Sequence, residues 1–182
     1  MKPIYIEDYC SKHPNISYDI MYLQISRLKW EKRREARQEY FMSESYIEYT
    51  YGLGEFAKTY KSNPFNNYVQ DLMDVLNTEF DQQYNVCFLN KYVSQFNWLG
   101  WHSDDSKDSI AVVSFGSERE IWWKHKDFKG NIPDENKQLL KNGSLFIMPA
   151  GFQEDHLHKI PKNSKPCEER ISLTFRKMDY NK

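Results

Sequence analysis

From residue 85 onward the chain is built of short runs rich in β-branched and aromatic residues, each closed by a turn signal. They are VCFLNKYV (86–93), IAVVSFG (110–116), EIWWKH (120–125), SLFIMP (144–149), HLHKI (156–160) and RISLTFR (170–176). Runs of this length and composition read as strands. Turns and loops join them, not helical segments, which excludes a doubly wound parallel sheet and favours a sandwich or barrel with helices packed outside. The clearest helical pattern lies earlier. After Asn63-Pro64, a capping side chain and a proline suited to the first helical position, Val69, Leu72, Met73, Leu76 and Phe80 recur at helical spacing. That helix is expected to cover one face of a sheet, and residues 1–84 to supply helices and a loop-rich cover.

The expected fold class is therefore mainly β with flanking helices (α+β). No internal repeat and no linker rich in Pro, Gly or Ser divides the 182 residues. One domain over 1–182 is the expectation, with the cover in 1–84 and the β core in 85–178.

The 25 Lys plus Arg against 26 Asp plus Glu leave a formal net charge of −1, so no overall field announces a nucleic-acid or membrane partner. The balance is uneven along the chain. Arg27, Lys29, Lys32, Arg33, Arg34 and Arg37 against Glu31 and Glu35 give six cations less two anions, +4, which leaves −5 for the remainder. This strip reads either as a solvated, helix-forming surface or as a contact for a phosphate backbone. Three widely spaced cysteines, Cys10, Cys87 and Cys167, argue against a disulfide framework and a four-thiolate zinc site, and for a reduced intracellular setting. No stretch approaches the ~20 apolar residues that span a bilayer, and the opening residues lack a signal-peptide pattern, so no membrane partner is expected.

The candidate chemistry gathers around histidines. His102 and Asp104 in GWHSDDS are two residues apart, so on an extended segment both project from one face and can share a metal. HLHKIPK offers His156 and His158, of which only one need bind. Two histidines and a carboxylate on a β scaffold leave adjacent coordination positions open, which suits non-heme Fe(II) oxygenases; zinc prefers a closed tetrahedral site or a single open position. The competing reading is ordinary strand histidines. Along RISLTFR, alternation puts Arg170, Ser172, Thr174 and Arg176 on one face and Ile171, Leu173 and Phe175 on the other. A barrel would normally leave that polar set in solvent. If the barrel mouth holds a dianionic cosubstrate, however, a guanidinium fork is the matching partner for its carboxylate. Asn90 and Tyr92 of LNKY, on one strand face, could add hydrogen bonds to the same ligand.

The ordered series LNKY, GWHSDD, IAVVSFGSER, GSLFIMPAG, HKIP and RISLTFR resembles the AlkB family of Fe(II)- and 2-oxoglutarate-dependent dioxygenases over residues 85–176. Weaker similarity extends upstream to RQEYFMS (37–43) and YTYG (49–52). The resemblance implies a double-stranded β-helix (jelly-roll) core whose mouth binds Fe(II) through His102, Asp104 and His158. His158 is chosen over His156 because the family's distal histidine sits just before a hydrophobic-Pro pair, here Ile160-Pro161. The resemblance further implies 2-oxoglutarate as cosubstrate, met at its remote carboxylate by Arg170 with Asn90, Tyr92 and Arg176 in support, and dioxygen as oxidant. The implied reaction couples decarboxylation of 2-oxoglutarate to hydroxylation of a carbon on an alkylated base nitrogen, after which formaldehyde leaves and the base is restored.

A base inside a duplex cannot reach such a site, so the expected partner is single-stranded or locally opened nucleic acid. Tyr49 and Tyr51 match the family's substrate-recognition cover and either line the base pocket or touch the backbone; the alternative is packing within a hairpin. Arg37 is a candidate nucleotide contact, and Arg119 is expected to steady the pocket or pair with a carboxylate. The acidic residue that DNA-repair members often carry four positions after the first ligand is Ser106 here, which leaves Asp105 or Asp108 as substitutes. His156 stands where relatives usually carry Trp or Tyr. Trp101 and the Trp122-Trp123 pair are expected in the core or on a sheet face. The protein is expected to be a cytoplasmic monomer, or nuclear in a eukaryote. Two rival readings keep the metal site: the same iron chemistry on a protein or small-molecule substrate, and a non-catalytic metal-binding β-barrel module.

Overall fold

The computed structural model of the chain describes residues 2–14, 16–33, 36–51 and 54–179. Strands β1 (Ile4–Ile6), β2 (Glu31–Arg33), β3 (Arg37–Ser43), β6 (Val86–Tyr92), β8 (Ile110–Gly116), β11 (Leu145–Met148) and β13 (Arg170–Arg176) form a seven-stranded sheet in the order β1-β11-β8-β13-β6-β3-β2. A four-stranded sheet runs β10-β9-β12-β7, from Lys137–Leu140, Arg119–His125, His156–Ile160 and Leu99–His102. A separate hairpin pairs β4 (Glu48–Tyr51) with β5 (Lys58–Lys61). Helices α1 (Tyr18–Ser26), α2 (Asn67–Glu79) and the short α3 (Phe152–Asp155) complete the regular elements. The strand pairings are antiparallel throughout. This is the jelly-roll arrangement that the family resemblance implies.

The period of two along each strand explains how the layers pack. Ala111, Val113 and Phe115 of β8, Cys87 and Leu89 of β6, and Ile171, Leu173 and Phe175 of β13 share one buried cluster with Val69, Leu72, Met73 and Leu76 of α2 and Met21 and Ile25 of α1. The helices therefore cover the outer face of the large sheet. The alternate residues Ile110 and Val112 of β8, with Phe146 and Met148 of β11, meet Ile121 and Trp123 of β9 and Ile160 of β12 in a second cluster between the sheets. Because β8 is buried on both faces, it reads as a continuous apolar run and not as an alternating one. Trp122 and Trp101 point the other way. Lys159 lies 4.2 Å from the Trp122 ring and 4.8 Å from that of Trp101, so these indoles cover the outer face of the small sheet.

Several expectations need correction. Residues before 85 are more than a cover, because β1, β2 and β3 are strands of the large sheet. Arg27 caps the end of α1, but Glu31–Arg33 is extended and pairs against Arg37–Glu39, so the strip is not a helix; Arg34 and Glu35 lie outside the described residues. Strands β7 and β10 were not expected. LGWH has a glycine and a polar end, and KQLL has only two apolar residues, so neither carries a strong strand pattern. The helix cap is Asn66, whose side chain accepts the Val69 amide at 2.9 Å, not Asn63. Asn63 instead bonds Phe41 through both its amide and its side chain, stitching the segment to β3. No helix among the described residues is long and apolar enough to cross a membrane.

Replacing Asn66 by Ala removes the α2 cap and is expected to lower stability by about 1 kcal/mol. Urea denaturation followed by circular dichroism measures it.

Candidate metal centre and pocket

The pairing of β7 with β12 sets His102 directly opposite His158. Opposed residues on one sheet face bring their Cβ atoms to about 4.5–5.5 Å, and here the imidazole centroids are 4.1 Å apart. Asp104, just past the end of β7, offers each histidine a different oxygen: Oδ1 lies 3.7 Å from His102 Nε2 and Oδ2 lies 3.6 Å from His158 Nε2. One ligand atom from each residue fits within 4.8 Å of the others, and among the described residues only this group could hold a metal ion in that way. His156 is not part of it; its ring stacks on Phe152 at 4.4 Å.

Two of the three ligands, His102 and Asp104, are held from behind, whereas His158 Nδ1 is buried without a described partner. His102 Nδ1 donates to the Gly100 carbonyl at 2.8 Å, which leaves Nε2 with its lone pair toward the cluster. Gln153 Oε1 accepts the Asp104 amide at 2.9 Å, and Arg176 Nη2 donates to Asp104 Oδ1 at 2.8 Å. Burial, followed by the neighbouring His102, lowers the His158 imidazole to about 3, and burial lowers His102 as well. Burial alone would raise the Asp104 carboxyl, but Arg176 with His158, His102 and Arg37 outweighs it and holds the group below the usual carboxylate range. Two neutral imidazoles and one carboxylate therefore face each other at neutral pH, the protonation states that a divalent metal requires.

Beside the triad, β13 turns its polar face inward. Arg170, Ser172, Thr174 and Arg176 line an open cavity together with Asn90, Tyr92, Arg37, Tyr49 and Tyr51. Arg170 is 1% exposed, its Nη2 donates to Ser114 Oγ at 2.9 Å, and its Nε and Nη1 are buried without a partner. Burial pushes its guanidinium down to about 10, still charged at neutral pH. Holding an unmatched cation in the interior costs several kcal/mol. Two unpartnered donors on a guanidinium that lines the cavity fit a carboxylate guest.

Asn90 Oδ1 accepts Arg37 Nε at 2.8 Å, and the Tyr92 ring lies 5.4 Å from the Arg170 guanidinium. Arg176, expected near the cosubstrate carboxylate, has the Asp104 carboxylate as its described partner. Tyr49 and Tyr51 stand on the β4–β5 hairpin, and Tyr51 Oη donates to the Ser103 carbonyl at 3.0 Å, tying the hairpin to the segment between the two first ligands. Asp105 and Asp108 are exposed and line a separate groove with Tyr46. Arg119 lies off the cavity wall. It is 1% exposed and donates to the carbonyls of Ser94, Asn97 and Pro161 and to Cys167 Sγ, so no carboxylate is among its described partners.

Sequence reasoning missed Glu39, a buried carboxylate on the cavity wall that accepts Tyr60 Oη at 2.6 Å and pairs with Arg37 and Lys58. The alternation Arg37, Glu39, Phe41 along β3 was the available signal. It lay inside a stretch read as cover. Gln153, which fixes the Asp104 backbone, had no sequence signal.

The sequence profile of the 2OG-Fe(II) oxygenase superfamily matches residues 23–176. The chain belongs to that superfamily. It is 32% identical over 118 residues to the DNA oxidative demethylase ALKBH2 of Arabidopsis thaliana, covering 52% of this chain and 38% of the relative. It is 28% identical over 167 residues to the human alpha-ketoglutarate-dependent dioxygenase alkB homolog 3, covering 81% of this chain and 56% of the relative. These relatives make it an AlkB-type member, and the chain spans about half the length of the curated relatives it matches. The solved structure of OsALKBH1 shares the fold, with a TM-score of 0.66 at 13% identity over 96% of this chain and 97% of that one. The superfamily's cofactors are Fe(II) and 2-oxoglutarate, with dioxygen as oxidant, and the residues here fit both: the triad has the donor set for the metal, and Arg170 has free donors for the acid.

His158→Ala is expected to abolish Mn(II) binding measured by electron paramagnetic resonance, whereas His156→Ala retains it. The opposite pattern would move the ligand assignment to His156.

Proposed function

We propose that this protein oxidatively dealkylates N-alkylated bases in single-stranded or locally opened nucleic acid. The observation that carries this reading is one cavity with the metal triad on its wall, a carboxylate-seeking arginine on one side and an aromatic hairpin on the other. The DNA oxidative demethylase activity for which the ALKBH2 relatives are named supports the substrate class.

His102, Asp104 and His158 would hold Fe(II), which when bound with 2-oxoglutarate and dioxygen supplies oxidative chemistry coupled to decarboxylation of the cosubstrate. The protein's own tasks are binding, orientation and exclusion of water. Arg170 receives the remote carboxylate of 2-oxoglutarate through its two unpartnered nitrogens. Tyr92 and Asn90 border that end of the cavity. Arg176 keeps the Asp104 carboxylate ionised and directed, a role that tunes the ligand.

Tyr49 and Tyr51 border the substrate end. Phe88 meets Tyr49 edge to face at 5.6 Å, and Phe41 stacks on Phe88 at 4.1 Å, which gives the hairpin an apolar floor. Flat apolar walls of this kind suit an unstacked base. Arg37, at the start of β3, is placed to meet the nucleotide from the same wall. The free thiols of Cys10, Cys87 and Cys167 support a reduced, intracellular setting, in which the protein acts as a monomer.

Two outcomes are expected. Incubation with Fe(II), ascorbate and 2-oxoglutarate should remove methyl groups from at least one of 1-methyladenine, 3-methylcytosine and 6-methyladenine in single strands, with succinate and formaldehyde formed in equal amounts by mass spectrometry. Inactivity across DNA and RNA, matching a His102→Ala control, would overturn the reading. Arg170→Met should weaken 2-oxoglutarate binding to the Mn(II)-loaded protein by about thirtyfold or more, since truncating one partner of a buried charged pair costs at least about 2 kcal/mol. In the ligand-free state the same change should leave the urea midpoint unchanged or raise it, because an unmatched buried charge is removed.

A further inference from the structure

The loop joining β6 to β7, residues 93–98, leaves Val93, Phe96 and Trp98 with 47%, 67% and 42% of their surface exposed. Scattered apolar residues on a surface are ordinary, but three within six positions form a patch that asks for a partner. The loop is not loosely held. Arg119 binds it from beneath through the carbonyls of Ser94, at 3.3 Å, and Asn97, while also holding Pro161 O at 3.2 Å and Cys167 Sγ at 3.3 Å. Asn97 Oδ1 accepts the amides of Val93 at 2.7 Å and Ser94 at 3.0 Å, and the Gln95 carbonyl accepts the Asn163 amide at 3.0 Å. A buried guanidinium and an asparagine cap thus fix a short loop whose large side chains stand in water.

The surroundings of this loop say what would cover it. On one side, the clamped segment carries Lys162 and Lys165, both exposed. On the other, the Trp98 amide donates to the Ala36 carbonyl at 3.0 Å, which joins the loop to the β2–β3 turn. Lys29 and Lys32, both exposed, precede that turn, and Glu31 beside them is paired with Lys58 at 2.9 Å. The same two segments lead into the cavity, because Arg37 follows the turn, Leu99 follows the loop, and both line the wall. A partner with flat apolar faces and a negative charge at every repeat matches aromatics flanked by cations: an unpaired polynucleotide strand.

We propose that residues 93–98 form a stacking platform for the unpaired strand next to the target nucleotide. Phe96 and Trp98 receive bases, and Lys162, Lys165 and Lys29 receive phosphates. The proposal rests on the nucleic-acid reading above and adds to it a seat for the flanking strand outside the cavity.

The test is fluorescence anisotropy of the full chain, loaded with Mn(II) and 2-oxoglutarate, titrated against a labelled single-stranded oligonucleotide and against its fully paired duplex. Phe96→Ser combined with Trp98→Ser is expected to weaken single-strand binding about tenfold or more, the loss of two base stacks, with a smaller loss for the duplex. Both side chains are exposed, so the variant should fold, and circular dichroism checks it. Lys162→Gln combined with Lys165→Gln should lower the slope of log affinity against log salt by about 1.4. Leu139→Ser, which alters an exposed apolar residue on the small sheet, serves as the control and should bind as the parent does.

A wild type that binds and dealkylates single strands while the double variant matches it in affinity overturns the platform alone. A wild type that neither binds nor dealkylates any strand overturns the substrate reading and the platform with it. If sedimentation shows the wild type to dimerise, the double variant to be monomeric and strand affinity to be equal, the patch is an interface between copies and the proposal fails.

Discussion

Strand β13 has to satisfy two opposite environments at once, and the layers around it are arranged so that it can. Ile171, Leu173 and Phe175 face the helices and are wholly buried, each contributing about 1.5–3 kcal/mol by leaving water. Arg170 and Arg176 on the other face are almost as deeply buried, and burying an ion costs several kcal/mol. The apolar face is large enough to offset that cost, so the strand can carry two cations into the interior. Arg176 recovers part of the loss by pairing with Asp104. Arg170 does not, and what it lacks in partners defines the cavity as a place for an anion.

The same economy of register governs the metal centre. His102 and His158 lie 56 positions apart in sequence, and one antiparallel pair makes them neighbours. A shift of one residue in that pairing would turn a histidine to the opposite face, so the ligand set depends on the whole β7–β12–β9 ladder and not on the histidines alone. Gly116, at φ +83°, shows how closely the surrounding backbone is set: a Cβ there would stand 2.3 Å from the Glu169 carbonyl. Glycine lets β8 end directly against the start of β13 and so fixes where Arg170 enters the sheet.

The parts of the fold that were legible were those in which local pattern and tertiary role agree. β8 and β13 run as the sequence implies because their patterns are strong: continuous apolar residues in one, strict alternation in the other. The ligand triad was legible because two-residue spacing survives in extended chain, and His158 was separable from His156 only through the Ile160-Pro161 pair that follows it. What was not legible depends on partners distant in sequence. Asn63 and Asn66 are equally good caps on paper, and β3 decides between them by taking Asn63 for its own edge. Arg119 is expected from its motif to steady the pocket or pair with a carboxylate; two carbonyls of the β6–β7 loop and that of Pro161 make it a clamp.

By itself the sequence determined the chemistry on offer: two imidazoles, a carboxylate and a pair of arginines placed at strand spacing, on a chain too rich in short strands to become anything but a β core. Those are consequences of residue type and of the period of two, which no tertiary contact alters. The tertiary structure decided which side chains share a cavity and what each is free to do. It gave Arg176 to Asp104, left Arg170 open, lowered the imidazoles by burial, put Glu39 on the wall and drew Arg119 away from it. Those outcomes turn on dielectric, register and hydrogen-bond competition among segments far apart in the chain, and such quantities exist only once the chain has folded.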